Sequence, residues 1–320
     1  MKINISKGIF MLTMIMSIII TLSSNNIMMT WISMEINMIS FMPMMTKSKK
    51  STDQPMKYFI VQSLSSSMML MSVMMNSILE VTPGSSIILL TSMLMKMGMM
   101  PFHLWLPSTM NSLSWENCFI LSTIQKIPPT TIMSQMMDLK QMIFPMILSS
   151  MMGSITALNQ LSMKKIMAYS SISNSTWMIM SMYLSIKMFT IMFSSYFLIT
   201  FMLMNKMNVN NMLYMNQMKS MNNLKKMSMS ITILSMSGMP PLLGFLPKWM
   251  ILQSMVKLSI TLSITMIVSA AISTMVYIKM ISPMMMSAMT TKKTKKEKKY
   301  KEYDIMINIT SIPMMMVLKS

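Results

Sequence analysis

Apolar stretches follow one another along this chain with short polar interruptions, and most have the length of a helix that crosses a bilayer. Such a crossing takes about 20 residues at a rise of about 1.5 Å each. Runs of this kind lie at roughly 3–23, 27–45, 56–76, 86–100, 115–133, 142–158, 166–184, 188–204, 226–254, 258–282 and, more weakly, 305–318. They predict an all-α integral membrane protein of about 11 transmembrane helices, a single polytopic domain over residues 1–320. Its last helix, at about 305–318, follows a lysine-rich loop at about 290–304. The ninth run is expected to be broken, because residues 239–245 are too rich in Pro and Gly for continuous helix.

Composition agrees with lipid as the solvent. Hydrophobic residues make up 53% of the chain and charged ones 11%, too few to coat a soluble globule of 320 residues. Residues 8–30 and 142–162 carry no charge, while 291–304 are crowded with it. The chain has 61 Met and no Arg, which no packing requirement explains. A gene rich in A and T that reads ATA as Met, as invertebrate mitochondria do, turns Ile positions into Met and Arg codons into Lys codons. An organelle-encoded protein is therefore expected, and the composition points to an insect or related arthropod. A copper site of thioethers is disfavoured, since Met is spread through every apolar segment.

The formal charge of +19 reads as orientation in the bilayer. Lysines flank apolar spans and do not alternate with stacking aromatics, so a nucleic-acid partner is not expected. Counting crossings puts Lys2, Lys7, Lys47, Lys49, Lys50, Lys57, Lys164, Lys165, Lys206, Lys219, Lys225, Lys226 and the cluster at 292–301 on the side of the N-terminus. Only Lys140, Lys187, Lys257 and Lys319 fall on the other. By the positive-inside rule the N-terminus faces the matrix and the C-terminus the intermembrane space. The cluster at 292–301 reads as a solvated loop near anionic headgroups, or as a docking segment. Lys2 and Lys7 before an apolar run mimic a secretory signal, but no small-residue cleavage site follows Leu22, and the run is read as a retained first helix. With one Cys, Cys118, and one His, His103, the chain offers neither the thiolates of an iron-sulfur cluster nor the paired ligands of a metal site.

Four ionisable groups sit where no loop accounts for them: Glu35, Lys96, Lys126 and Lys248. A charge at the centre of a span costs about 2.5 to 3.5 kcal/mol on insertion scales, so such residues mark pathways. Glu35 lies too deep in the second run to reach water and needs a partner or a proton; Lys96 in the fourth run is the natural partner across helices. A lysine snorkelling from a helix end is the alternative for Lys96. All three lysines stand beside a proline break: Pro101 after Lys96, Pro128 and Pro129 after Lys126, Pro247 before Lys248. Broken helices are tolerated where they line hydrated cavities. Burial disfavours an ammonium and a nearby carboxylate favours it, and a side chain held between the two can load and release a proton. His103 has the titration range for the same task, with a structural role as the alternative. Ser170, Ser171, Ser173, Asn174 and Ser175 make the seventh run hydrophilic, for internal water or for bonds between helices.

At these residues the chain resembles the antiporter-like subunits of respiratory complex I. Lys96-Met97-Gly98 leading to Pro101-Phe102-His103-Leu104-Trp105 is similar to that family's Lys-x-Gly, Pro-Phe-His-x-Trp signature. Trp31 to Glu35 resembles its glutamate helix, Gln125-Lys126-Ile127-Pro128 its second lysine and Met167 to Ile172 its alanine-tyrosine-serine-serine segment. Ser237 to Trp249 resembles its distal broken helix with a lysine. Asn174-Ser175 stands where the family often has a histidine. The resemblance implies an antiporter-like fold with inverted repeats over about 27–282. Within it Glu35 and Lys96 would be the entry pair, Lys126 the central lysine and Lys248 the exit-side lysine. It also implies proton translocation coupled to electron transfer from NADH to ubiquinone, as a multi-pass subunit of the mitochondrial inner membrane. NADH, FMN, iron-sulfur clusters and ubiquinone would sit on other subunits, with no cofactor on this chain. Partners would be other membrane-arm subunits and the bilayer with its anionic lipids. A sodium/proton antiporter subunit and a purely structural membrane-arm subunit are the alternatives.

Overall fold

The computed structural model describes residues 5–46, 53–79, 83–136 and 138–286. The helices are α1 (Ile5–Ser23), α2 (Ile27–Met45), α3 (Asp53–Leu79), α4 (Pro83–Met97), α5 (Trp105–Ser112), α6 (Trp115–Ser122), α7 (Ile127–Met136), α8 (Leu139–Leu158), α9 (Met163–Leu184), α10 (Ile186–Val209), α11 (Asn223–Ser237), α12 (Phe245–Met255) and α13 (Ile260–Met286). Two 3-10 turns, Ile124–Lys126 and Met215–Ser220, complete the helical set, and strand pairing among the described residues is limited to the bridge Ser162–Tyr214. Helices therefore occupy the first ten apolar runs; the run at 305–318 and the lysine-rich loop lie outside the described residues.

Two of the runs depart from the sequence expectation. The run at 115–133 is not one helix but α6, a 3-10 turn and α7. Pro128 and Pro129 have no N–H to give to the carbonyls four residues back, those of Ile124 and Gln125, and their rings crowd those oxygens. The chain tightens instead: Lys126 N–H bonds Thr123 O at 3.1 Å, and Ile127 N–H takes Ile124 O. The fourth run ends at Met97, and the chain starts a separate short helix, α5, that the apolar pattern did not announce.

Among the described residues five helices, α1, α3, α8, α10 and α13, are long and apolar enough to cross a membrane by themselves. The others fall short because breaks divide them or because polar residues interrupt them, as Glu35, Asn37 and three serines or threonines do in α2. Buried hydroxyls in these helices are satisfied locally: Ser17, Thr21, Ser33, Ser65 and Ser72 each donate to the carbonyl three residues back at 2.6–2.8 Å. Methionine fills much of the core, with Met14, Met69, Met93, Met133 and Met146 fully buried, as suits a flexible apolar side chain.

The chain forms two compact units, Met1–Ser149 and Ser150–Ser320. In the first, α1 packs on α2, α3 on α2, α4 and α5, and α7 on α1 and α4. In the second, α9 packs on α10 and α12, α10 on α11 and α12, and α13 on α11 and α12.

Candidate functional site

In the first unit the site begins at the end of α4. Gly98 adopts a left-handed φ of +66°, which an L side chain resists, and there the helix closes. Gly98 N–H bonds Met95 O at 3.2 Å and Met99 N–H bonds Leu94 O at 3.0 Å, the pair of bonds that seals a helix end. Side chains take up the remaining polarity: Trp105 Nε1–H donates to Met95 O at 3.1 Å and Gln62 donates to Lys96 O at 3.3 Å. The Pro-Phe-His-x-Trp segment thus folds back so that its tryptophan caps the helix carrying Lys96.

Lys96 Nζ lies 3.6 Å from Met34 Sδ. Glu35 is close enough to act electrostatically on both Lys96 and Tyr58, yet makes no contact ion pair with either. The Glu35–Lys96 charge pair expected from the sequence is thus not a contact ion pair: consecutive residues of α2 point in directions about 100° apart, and Met34, not Glu35, faces the ammonium. Among the described residues the ion pair that does form is Lys7–Glu116 at 3.5 Å, partly exposed and of small energetic weight.

Lys96 and Lys126 line one cavity of about 30 Å³, whose polar wall is completed by Asn37, Tyr58, Gln62 and Gln125. That volume holds about two waters. Met34, Met38, Met97, Trp105, Leu106, Leu121, Pro128 and Pro129 close the remainder. Lys126 is 3% exposed. Its neighbour Gln125 donates through one Nε2 to Asn37 Oδ1 at 2.8 Å and to Met14 Sδ at 3.3 Å, which uses both amide protons and leaves the amide oxygen as its free acceptor. Tyr58 is held by Phe41 and Trp105, with ring centroids 5.5 and 5.9 Å away. His103 is not in this wall; it is partly exposed, with Nδ1 3.3 Å from Pro101 O.

In the second unit Gly238, with φ +80°, ends α11 as Gly98 ends α4. Here the last-turn carbonyls are taken by the lysine itself: Lys248 Nζ donates to Ser237 O at 3.0 Å and to Met236 O at 3.3 Å. The offset of the two lysines around their breaks has a structural meaning. Lys96 lends its carbonyl to the cap and keeps its amine for the cavity, whereas Lys248 commits its amine to the cap.

The serines of α9 bond within their own helix. Ser170, Ser171, Ser173 and Ser175 each donate to the carbonyl three residues back in their own helix, at 2.6–2.9 Å.

Sequence reasoning did not single out Asn37, Tyr58, Gln62, Gln125 as an acceptor, or Trp177, whose ring lies against Lys248. Uncharged polar residues inside apolar runs were the available signal, and Asn37 and Gln62 carried it. It also missed Lys226, buried in the first turn of α11.

Residues 24–274 match the family model for transmembrane subunits of the NADH:quinone oxidoreductase/Mrp antiporter type. The chain is 35% identical to NADH-ubiquinone oxidoreductase chain 2 of Locusta migratoria over 290 residues, 87% of this chain and 85% of that one. It is 32% identical to the same protein of Anopheles gambiae over 286 residues, 86% and 84% of the two chains. Among solved structures, a chain of respiratory complex I from Thermus thermophilus superposes with a TM-score of 0.82 at 16% identity, covering 98% of this chain and 78% of that one. A chain of the Mrp complex from Dietzia superposes with a TM-score of 0.74 at 14% identity, covering 85% and 59%.

Proposed function

Because the chain belongs to the NADH-ubiquinone oxidoreductase chain 2 family, we propose that it moves protons through Glu35, Lys96, Lys126 and Lys248 as the membrane-arm module of a redox-driven pump. It is a multi-pass membrane subunit of respiratory complex I with an antiporter-like translocation fold, and its partners are other subunits of that complex. Electron transfer and its cofactors belong to those other subunits.

The observation that carries the proposal is the single cavity shared by Lys96 and Lys126. Two amines, three primary amides and a phenol around room for about two waters form a continuous set of donors and acceptors. A proton arriving on Lys96 reaches Lys126 through water held by Gln62, Gln125 and Asn37. Glu35 acts on this step through space: it favours the ammonium at Lys96, and any displacement or neutralisation of the carboxylate releases that hold. The driving pulse from neighbouring subunits would enter there, and Lys248 would hand the proton on at the exit side. His103 stands beside this route and would serve it only from outside the cavity.

In the inner mitochondrial membrane the lysine distribution orients the N-terminus to the matrix and the C-terminus to the intermembrane space, with the matrix-side lysines near anionic headgroups. The test is Lys126→Met in the intact complex, a change of similar volume that removes only the amine. Pumped protons per NADH oxidised should fall while the complex still assembles and oxidises NADH. Undiminished pumping would leave a structural role in its place, and sodium transport independent of NADH would favour an antiporter.

A further inference from the structure

Among the described residues of its own unit, Lys248 has no carboxylate to answer its charge. From residue 139 to 296 the sequence contains neither Asp nor Glu, so none of the described residues of the second unit is an acid. Three groups surround the amine instead. The carbonyl oxygens of Ser237 and Met236 accept from Nζ at 3.0 and 3.3 Å, and the ring of Trp177 on α9 lies 5.9 Å from it, centroid to nitrogen. Both side chains are buried, Lys248 at 9% and Trp177 at 2% exposure. Gly238 keeps the niche open, since a Cβ there would stand 3.0 Å from Lys248 Cδ and 3.3 Å from Nζ.

These partners discriminate between the two forms of the amine. A neutral amine can still donate to two carbonyls. Only the ammonium gains from the negative end of a helix and from the face of an indole ring, whose quadrupole attracts a cation within about 6 Å. The titratable groups on the elements packed against α12 are Lys164, Lys165, Tyr169 and Tyr183 on α9, Lys187, Tyr196 and Lys206 on α10, and Tyr277 and Lys279 on α13; the polar partners of Nζ are the two carbonyls and the Trp177 ring.

We propose that Trp177 is the positioning residue for proton exchange at Lys248: its indole face and the C-terminus of α11 together replace the carboxylate that Lys96 has in Glu35. The proposal rests on Lys248 being a proton carrier. It makes the second lysine site one in which the counter-charge is fixed and dipolar, so that proton release there depends on movement of the lysine away from the ring and the helix end, not on neutralisation of an acid.

The test uses the intact complex in sealed vesicles, with NADH-driven pumping followed from neutral to alkaline pH for Trp177→Leu, Trp177→Phe and Lys248→Met. Loss of the ring should move the alkaline limb of the Trp177→Leu profile to lower pH by about half a unit. Trp177→Phe, with a weaker ring, should shift the limb in the same direction by a smaller amount. A Trp177→Leu profile that superposes on the parent while Lys248→Met loses pumping would overturn the role of Trp177 and leave the relay intact. Unaltered pumping in Lys248→Met would remove the carrier itself and the proposal with it. Should Trp177→Leu fail to assemble, the Trp177→Phe profile decides: displaced in the same direction it supports the proposal, unshifted it overturns it.

Discussion

Gln125 Nε2 donates to Asn37 Oδ1 at 2.8 Å, and this bond ties the residue beside Lys126 to the helix that carries Glu35. Any shift of α2 is thereby felt at the 3-10 turn of the central lysine. Asn37→Leu and Gln125→Met keep side-chain volume and remove the bond. Each should lower protons pumped per NADH, and the double change should be little worse than either single one, because both remove the same link. Stability should change little, as bonds of this kind inside membranes average about 0.6 kcal/mol. Additive losses would show that the two amides act separately.

Trp105 closes α4 from outside by its bond to Met95 O. Trp105→Phe keeps the aromatic packing on Tyr58 and removes one of the two donors to that carbonyl, leaving Gly98 N–H, at a cost of about 1 kcal/mol. Amide hydrogen exchange in residues 98–104 should quicken while exchange in α1 and α2 stays as it was. Unchanged exchange at the turn would mean the indole bond does not hold it.

The two left-handed glycines should differ in what they damage. Alanine at either position costs about 1–2 kcal/mol for its backbone conformation, which a thermal melt of the solubilised complex would register. Gly98→Ala presses on Leu106 Cδ1 at 2.9 Å, whereas Gly238→Ala presses on the side chain of Lys248. Pumping in the assembled complex should therefore suffer more from Gly238→Ala, and equal pumping in the two variants would contradict the assignment of Lys248 to the helix end.

Among the described residues the His103 ring bonds a carbonyl two residues away, and it stands outside the cavity of Lys96 and Lys126. His103→Asn should keep more than about half of the pumping activity, far above what a general acid–base group would leave, since such groups contribute about a hundredfold or more. A collapse comparable to that of Lys126→Met would place the imidazole in the relay.

The sequence alone determined the membrane class, the extents of the apolar helices and the places where they break. Those are local properties: about 20 apolar residues span a bilayer whatever surrounds them, and a proline or a left-handed glycine ends a helix within one turn of itself. It also exposed Glu35, Lys96, Lys126 and Lys248, because a charge in an apolar run is visible without knowing its partner. The partners were decided by tertiary structure. Lys96 meets Met34 across 62 residues of chain and Gln125 meets Asn37 across 88, and which face of α2 each neighbour sees depends on helix rotation set by packing of the whole unit. For the same reason Trp177 read as an ordinary core aromatic until α12 was laid against α9. Apolar length is written residue by residue, whereas the direction in which a buried donor points is fixed only when the helices have docked.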